Sequence, residues 1–298
     1  MRKILRRISI FLGLGRGHQH VTPINEQIPD STPEAIDHAA RHALMVGRGH
    51  RQKLQMWRDG GIEGLDVLEL GPGPEFGSVA YLACYGAKPH VADRWLPKWH
   101  PDFHPAVYRR MAEILAVEEP DANTTILEKL AAAGQHGTQL LPTFHSAEHL
   151  ENVPNSSMDA VVSNAVFEHI ADLSAAAMAI ARVTKPGGIS LHQVDLRDHN
   201  DFDHPLEFLL LSQAKLDAWL IQTQTHAGHP RRRSAYEAAF AAAGFESIFV
   251  EVNLRAEEAY LEEFKTRLEA AKESLWRHCS GPDLTDIGIC FVLRKPAS

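Results

Sequence analysis

With 298 residues and 33.1 kDa, the chain has room for one large domain or one domain with appendages. Hydrophobic residues make up 44% and charged residues 23%, as in an ordinary soluble globular protein. A formal net charge of −8 argues against a general nucleic-acid binder, which needs a basic field.

No apolar run approaches the ~20 residues needed to cross a bilayer. Cys84, Cys279 and Cys290 are widely spaced and form neither a disulfide framework nor a zinc pattern, so a reducing cytoplasm is the expected compartment. The first 29 residues read as a tail. Arg2, Lys3, Arg6, Arg7 and Arg16 carry its charge, and Ile4, Leu5, Ile8, Phe11 and Leu12 fall at helical spacing. Residues 1–16 therefore suit either a frayed end or a basic amphipathic helix in peripheral contact with an anionic membrane.

Asp30-Ser31-Thr32-Pro33-Glu34 carries helix-start signals, and an alanine-rich helical region follows to about Trp57. Asp66-Val67-Leu68-Glu69-Leu70 then reads as a buried strand running into Gly71-Pro72-Gly73-Pro74. A second strand, Val91-Ala92, ends in Asp93 about 20 residues past the glycines. This is the layout of a nucleoside-cofactor site in a βαβ unit: the glycines let backbone approach a ligand, and the second carboxylate meets the ribose hydroxyls. A dinucleotide fingerprint would place glycine at position 76, which is Phe76. Glu69 would also repel a diphosphate and attract a cation. S-adenosylmethionine (SAM), with an ammonium, a sulfonium and no phosphate, fits better than NAD.

Farther along, residues 94–137 exceed what a simple crossover needs and read as an insertion, helical over Val107 to Glu118. Strands are expected at Leu140 to Phe144, Met158 to Asn164 and Ile189 to Val194, the last entered through the turn Lys185-Pro186-Gly187-Gly188. A helix over Ser234 to Ala243, a strand over Phe245 to Val252, a helix over Ala256 to His278 and a strand over Asp286 to Arg294 complete the chain.

Val-Leu-Glu-Leu-Gly-Pro-Gly, the block Ser163-Asn164-Ala165-Val166-Phe167-Glu168-His169 and the Lys-Pro-Gly-Gly turn occur in the order and spacing of a class I SAM-dependent methyltransferase. The chain resembles that family well over residues 60 to 195, in particular the bacterial small-molecule type related to the ubiquinone-biosynthesis methyltransferases. The resemblance implies an α/β fold: a Rossmann-like, seven-stranded, mostly parallel sheet with an antiparallel last strand and helices on both faces. It implies a methyltransferase domain over 30–298 that binds SAM through Glu69, Gly71, Gly73, Asp93 and Asn164. The backbone of Ala147 and the side chain of Glu148 would lie against the adenine. Phe167 and Glu168 would touch the acceptor.

Ligands of open α/β sheets sit beyond the carboxyl ends of the strands. There the block Asp195 to His204 is dense in titratable groups. His199, with Asp198 beside it, is the candidate general base toward an acceptor hydroxyl, and His169 the acceptor-positioning residue. The segment 195–233 would line the acceptor pocket, with Arg231 and Arg233 available for an anionic group; a surface basic run capping a helix is the other reading of those arginines. Eighteen histidines include no tight ligand spacing, and no metal site is expected. The predicted activity is methyl transfer to an oxygen of a small molecule or (poly)saccharide, a likeness to surface-polysaccharide enzymes favouring the glycan. The alternatives are a quinone-like or lipid acceptor at the membrane and a non-catalytic SAM-binding regulator.

Overall fold

The computed structural model describes residues 24–25, 29–58, 60–94, 96–135, 141–143, 147–223 and 228–297. The expected basic helix over residues 1–16 lies outside them.

Thr32 starts the first long helix as a side-chain cap, its Oγ1 accepting from the Ala35 amide at 3.3 Å, with Pro33 in the first turn and Glu34 on the positive end of the dipole. In chain order the elements are β1 (Ile24–Asn25), α1 (Pro33–Trp57), β2 (Asp66–Leu70), α2 (Gly77–Ala83), β3 (Lys88–Ala92), β4 (Leu96–Pro97), α3 (His104–Glu118) and α4 (Thr125–Ala132). There follow β5 (Leu141–Thr143), β6 (Met158–Asn164), α5 (Leu173–Val183), β7 (Thr184–Asp195), α6 (Gln213–Thr223) and α7 (Arg233–Ala242). The chain closes with β8 (Glu246–Arg255), α8 (Glu258–Ala270), α9 (Pro282–Thr285) and β9 (Asp286–Arg294).

Seven strands form one sheet in the order β5-β3-β2-β6-β7-β9-β8. The first five are parallel; β9 runs antiparallel between β7 and β8. The order reverses at β2, where chain direction across the sheet switches, so the crevice at its carboxyl end is the place for a ligand. This is the expected Rossmann-like architecture. The pair β1–β4 forms a separate two-stranded ladder.

Two apolar layers hold the sheet. On one face α1 presents Ala40, Ala43, Leu44, Gly47 and Leu54, at helical spacing, to α2 and the sheet. On the other, α5 and α7 bury Ala176, Ile180, Tyr236 and Phe240 against Leu68, Val161 and Phe291. A third, smaller cluster joins Phe208 and Leu209 to Leu261, Phe264 and Leu268 of α8.

Sequence and structure differ locally. The insertion carries a second helix, α4, and the segment expected only to line a pocket carries α6. The last helix stops at Ala270 rather than at His278. Lys185-Pro186-Gly187-Gly188 is a bulge within β7: the pairing jumps from Met158↔Thr184 to Ala160↔Ile189, with Gly187 at φ 77°. Lys185 Nζ anchors the bulge 2.7 Å from Asp159 Oδ2.

Candidate active site

At the carboxyl end of β2 the backbone leaves the sheet at Gly71, whose amide still donates to the Ala92 carbonyl at 2.9 Å. Gly71 and Gly73 have φ of 61° and 76°, conformations that side chains rarely adopt. A Cβ on Gly71 would also lie 2.5 Å from Val166 Cγ2. The turn after β2 and the turn after β6 are thus pressed together, and a larger residue at 71 would force them apart. Each turn also holds a non-glycine residue in the left-handed region, Phe76 at φ 52° and Ala165 at φ 54°. Such strain concentrates at ligand sites.

Glu69, next to last in β2, is almost wholly buried. Both its oxygens accept from Ser78 Oγ, at 2.7 and 2.8 Å, and His50 Nε2 stands 3.6 Å away. Asp93 follows β3 directly, half-buried, beside the glycine turn that its strand pairs with. Ala147, buried, and Glu148, half-buried, form the turn leading away from β5. Asn164 closes β6 and lies level with Gln193 of β7. The expected cofactor residues therefore come together at the carboxyl ends of β2, β3, β5 and β6. A glycine cradle with room for backbone approach, ringed by carboxylates and free of any phosphate-binding lysine motif, fits a cationic nucleoside such as SAM.

The acceptor side is built by the turn after β6 and the loop after β7. Phe167 is fully buried between His192 (4.4 Å between ring centroids) and Phe240 (5.4 Å). It is a core residue, not the acceptor contact expected, because the short helical turn at 167–169 rotates it beneath the sheet end. His192 beneath it bonds Ser163 and Ser190, and burial pulls it down to about 3, keeping it neutral.

Glu168 is 1% exposed. Its Oε1 accepts from the Asp195 amide at 3.3 Å and its carbonyl from the His229 amide at 2.7 Å, while Oε2 has no hydrogen-bond partner among the described residues. Burial, reinforced by Asp195, pushes the carboxyl up to about 8, so it is protonated at neutral pH. Edge to face, the rings of His169 and His199 sit 5.1 Å apart. Ligand atoms of Glu168, His169 and His199 lie within 4.8 Å of one another, a chemistry able to hold a cation or to move a proton.

The carboxylate at His199 is Asp195, whose Oδ2 lies 3.7 Å from Nε2. Asp198, the expected orienting acid, is buried, and its Oδ1 accepts from the Asn200 amide at 2.9 Å; it still feels the charge of His199. Such an aspartate turn is a local bond that the side chain of a tight loop takes up readily. Asp195 is itself gripped by Arg197, at 2.9 Å from Nε and 2.7 Å from an Nη.

The arginine run serves architecture. Arg231 donates to the carbonyls of Ile170 and Ala171, both at 2.5 Å, tying the β6 turn to α7. Arg233 pairs with Glu237 and Asp286. Both arginines expected to meet an anionic acceptor thus hold protein groups, and Arg231 also lines the cleft beside them. Arg232, between them in the run, is buried and caps three carbonyls, Leu196, Asp283 and Asp286, at 2.6–2.7 Å. Its only sequence signal was its place in the run. Next to it, a cleft of about 450 Å³ is lined by Leu216, Leu220, Leu275 and Trp276, with His229 at one wall. Burial pulls His229 down to about 4, so its ring is neutral.

The family model described as "Methyltransferase domain" matches residues 50–249, more than half of the chain. No curated protein matches it in sequence. Solved structures similar to it include phosphoethanolamine N-methyltransferase 2 of Haemonchus contortus, crystallised with SAM: 17% identity over 89% of this chain and 59% of that one, TM-score 0.48. A SAM-dependent methyltransferase of Mesorhizobium loti matches at 15% identity over 78% and 92%, TM-score 0.44. Geranyl diphosphate C-methyltransferase of Streptomyces coelicolor matches at 11% over 95% and 92%, TM-score 0.48. With the family model spanning the glycine turn, the β6 turn and the sheet through β8, the chain belongs to the methyltransferase-domain family and is a SAM-dependent methyltransferase.

Proposed function

We propose that the protein methylates a hydroxyl oxygen of a small molecule or saccharide, as the bacterial small-molecule and glycan methyltransferases do, with His199 as general base. The observation that carries this reading is the Asp195–His199–His169 cluster at the carboxyl ends of β6 and β7, beside the turn that touches Gly71.

SAM, when bound, supplies a methyl group on a sulfonium, open to in-line displacement. Asp93 would hold its ribose, Glu69 its ammonium end, and Ala147 with Glu148 its adenine. An acceptor hydroxyl gives up its proton as it attacks, and a positioned base aids that step by roughly 10²–10⁴-fold. Among the buried groups here, Glu168 is protonated and so is no base at neutral pH. His199 has the nearby carboxylate needed to stabilise its charged form, and His169 packs on its ring to position the acceptor. The cleft bordered by His229 is the proposed seat of the acceptor's body, since the His229 amide is bonded to Glu168.

Leu216, Leu220, Leu275 and Trp276 give that cleft an apolar side, opposite polar groups that include Arg231 and Asp283, and favour a second reading, a lipid or quinone-like acceptor. With it would go peripheral membrane contact through residues 1–16. Methyl-labelled SAM incubated with extract, followed by mass spectrometry of the labelled product, tests both. Label on a glycan or small-molecule oxygen supports the first reading; label in a lipid fraction, with vesicle binding lost on removal of residues 1–16, supports the second. Label on nitrogen or carbon overturns oxygen transfer.

A further inference from the structure

The carboxylate of Glu75 has no evident task in the fold. It sits on the loop between Gly73 and α2, 6% exposed, where both its oxygens lie 3.5 Å from the point at which a Gly73 Cβ would stand. That is the side of Gly73 on which a side chain would otherwise stand, so the carboxylate packs directly against the glycine turn. The surroundings supply no counter-charge among the described residues. From β2 the nearest charge is Glu69, of the same sign. From α3, Tyr108 donates to the Glu75 backbone carbonyl at 2.7 Å, and His104 bonds the Pro74 carbonyl at 2.9 Å. Burial lowers His104, so it brings no positive charge at neutral pH. From α1, His50 faces Glu69, and from α2, Ser78 is already bonded to that same carboxylate. Burying an acid in this way, next to another acid and without a cation, raises it to about 7.

A protein gains nothing for folding from such an arrangement. Two carboxylates at one glycine turn, one of them packed on Gly73, suit a compact cation that comes from outside.

We propose that Glu75 is a second anionic residue of the cofactor site, placed against the ammonium of SAM and joining Glu69 there. The consequence is proton-linked cofactor binding. The cation needs the ionised carboxylate, so affinity is weak where Glu75 holds its proton and rises with pH as the proton leaves.

Calorimetric titration with SAM alone tests this without any acceptor, so its outcome is independent of the proposed oxygen transfer. Below pH 7.5 the ligand's own ammonium stays largely charged. Wild-type affinity should fall roughly eightfold from pH 7.5 to 6, the ratio of ionised fractions for a group titrating at about 7. E75Q should bind several-fold more weakly at pH 7.5 and change less than about twofold over that range, because every other group of the site is common to both proteins and cancels in the comparison. E75D, which keeps the charge, should restore the pH dependence, and a neutral variant that merely loosened the loop would not lose it. Affinity of the wild type that is flat between pH 6 and 7.5, or an E75Q curve that parallels it, overturns the proposal.

Discussion

Asp195 Oδ2 lies 3.7 Å from His199 Nε2, four residues along the loop, while Asp198, its immediate neighbour in sequence, caps the Asn200 amide. Arg197 clamps Asp195 from the other side. The acid that faces the histidine is therefore held rigid, and the nearer one in sequence is spent on the turn.

His199→Ala should lower the methylation rate by roughly a hundredfold or more while SAM affinity stays within about twofold, because the cofactor groove lies on earlier strands. Asp195→Asn should cost about tenfold through loss of the charge that favours the imidazolium, and Asp198→Asn, which keeps the turn bond, less than about threefold. Steady-state kinetics on the acceptor identified by labelling decide it; equal losses for the two aspartates would return Asp198 to the role first expected of it.

Asp93→Ala should weaken SAM at least tenfold with the fold intact. A carboxylate gripping two hydroxyls makes two charge-assisted bonds worth about 1.5–3 kcal/mol each. Calorimetry with circular dichroism as the folding control reads this, and unchanged affinity would remove Asp93 from the site.

Glu168 predicts a pH signature of stability. Its folded-state carboxyl titrates at about 8, above the ordinary 4.5, so the native state favours the protonated form. Stability from this group is fully present below pH 4.5 and is lost as pH rises through 8. Glu168→Gln keeps an acceptor for the Asp195 amide and cannot ionise. In urea melts it should gain on the wild type by more than about 1 kcal/mol between pH 6 and 9, since each pKa unit is worth ~1.4 kcal/mol. A difference that stays constant with pH contradicts the assignment.

Arg232→Met should be among the most damaging substitutions in the chain. It leaves three carbonyls at buried strand and helix ends without their donor, at about 1–3 kcal/mol each. A loss of at least about 3 kcal/mol is expected by denaturant melts, against about 1–2 kcal/mol for Arg231→Met. If Arg231→Met weakens acceptor binding with stability unchanged, the arginine run serves the substrate after all.

How much was legible in the sequence follows from the range over which each feature is set. Strand β2, its glycine turn, Asp93 and the β6 turn were readable because apolar runs of strand length, positive-φ glycines and terminal acids are local signals. The mostly parallel seven-stranded sheet and its antiparallel last strand followed through family resemblance, and the sheet topology bears them out. Side-chain partnership was not legible. Asp195 and Asp198 are the same residue type in one loop, and only the turn's hydrogen bond assigns one to the Asn200 amide and the other to His199. Three adjacent arginines look alike as a basic run, yet each meets a different set of acceptors, from segments 61, 36 and 53 residues away. Phe167 reads as an aromatic beside a catalytic histidine, and only the packing of α7 on β7 buries it. Sequence by itself determined the class of chemistry this chain carries and the strands from which its candidate site is built. Tertiary structure decided which charges are paired, neutralised or left without a partner, because burial and proximity across the chain set those energies and neither is a property of neighbouring residues.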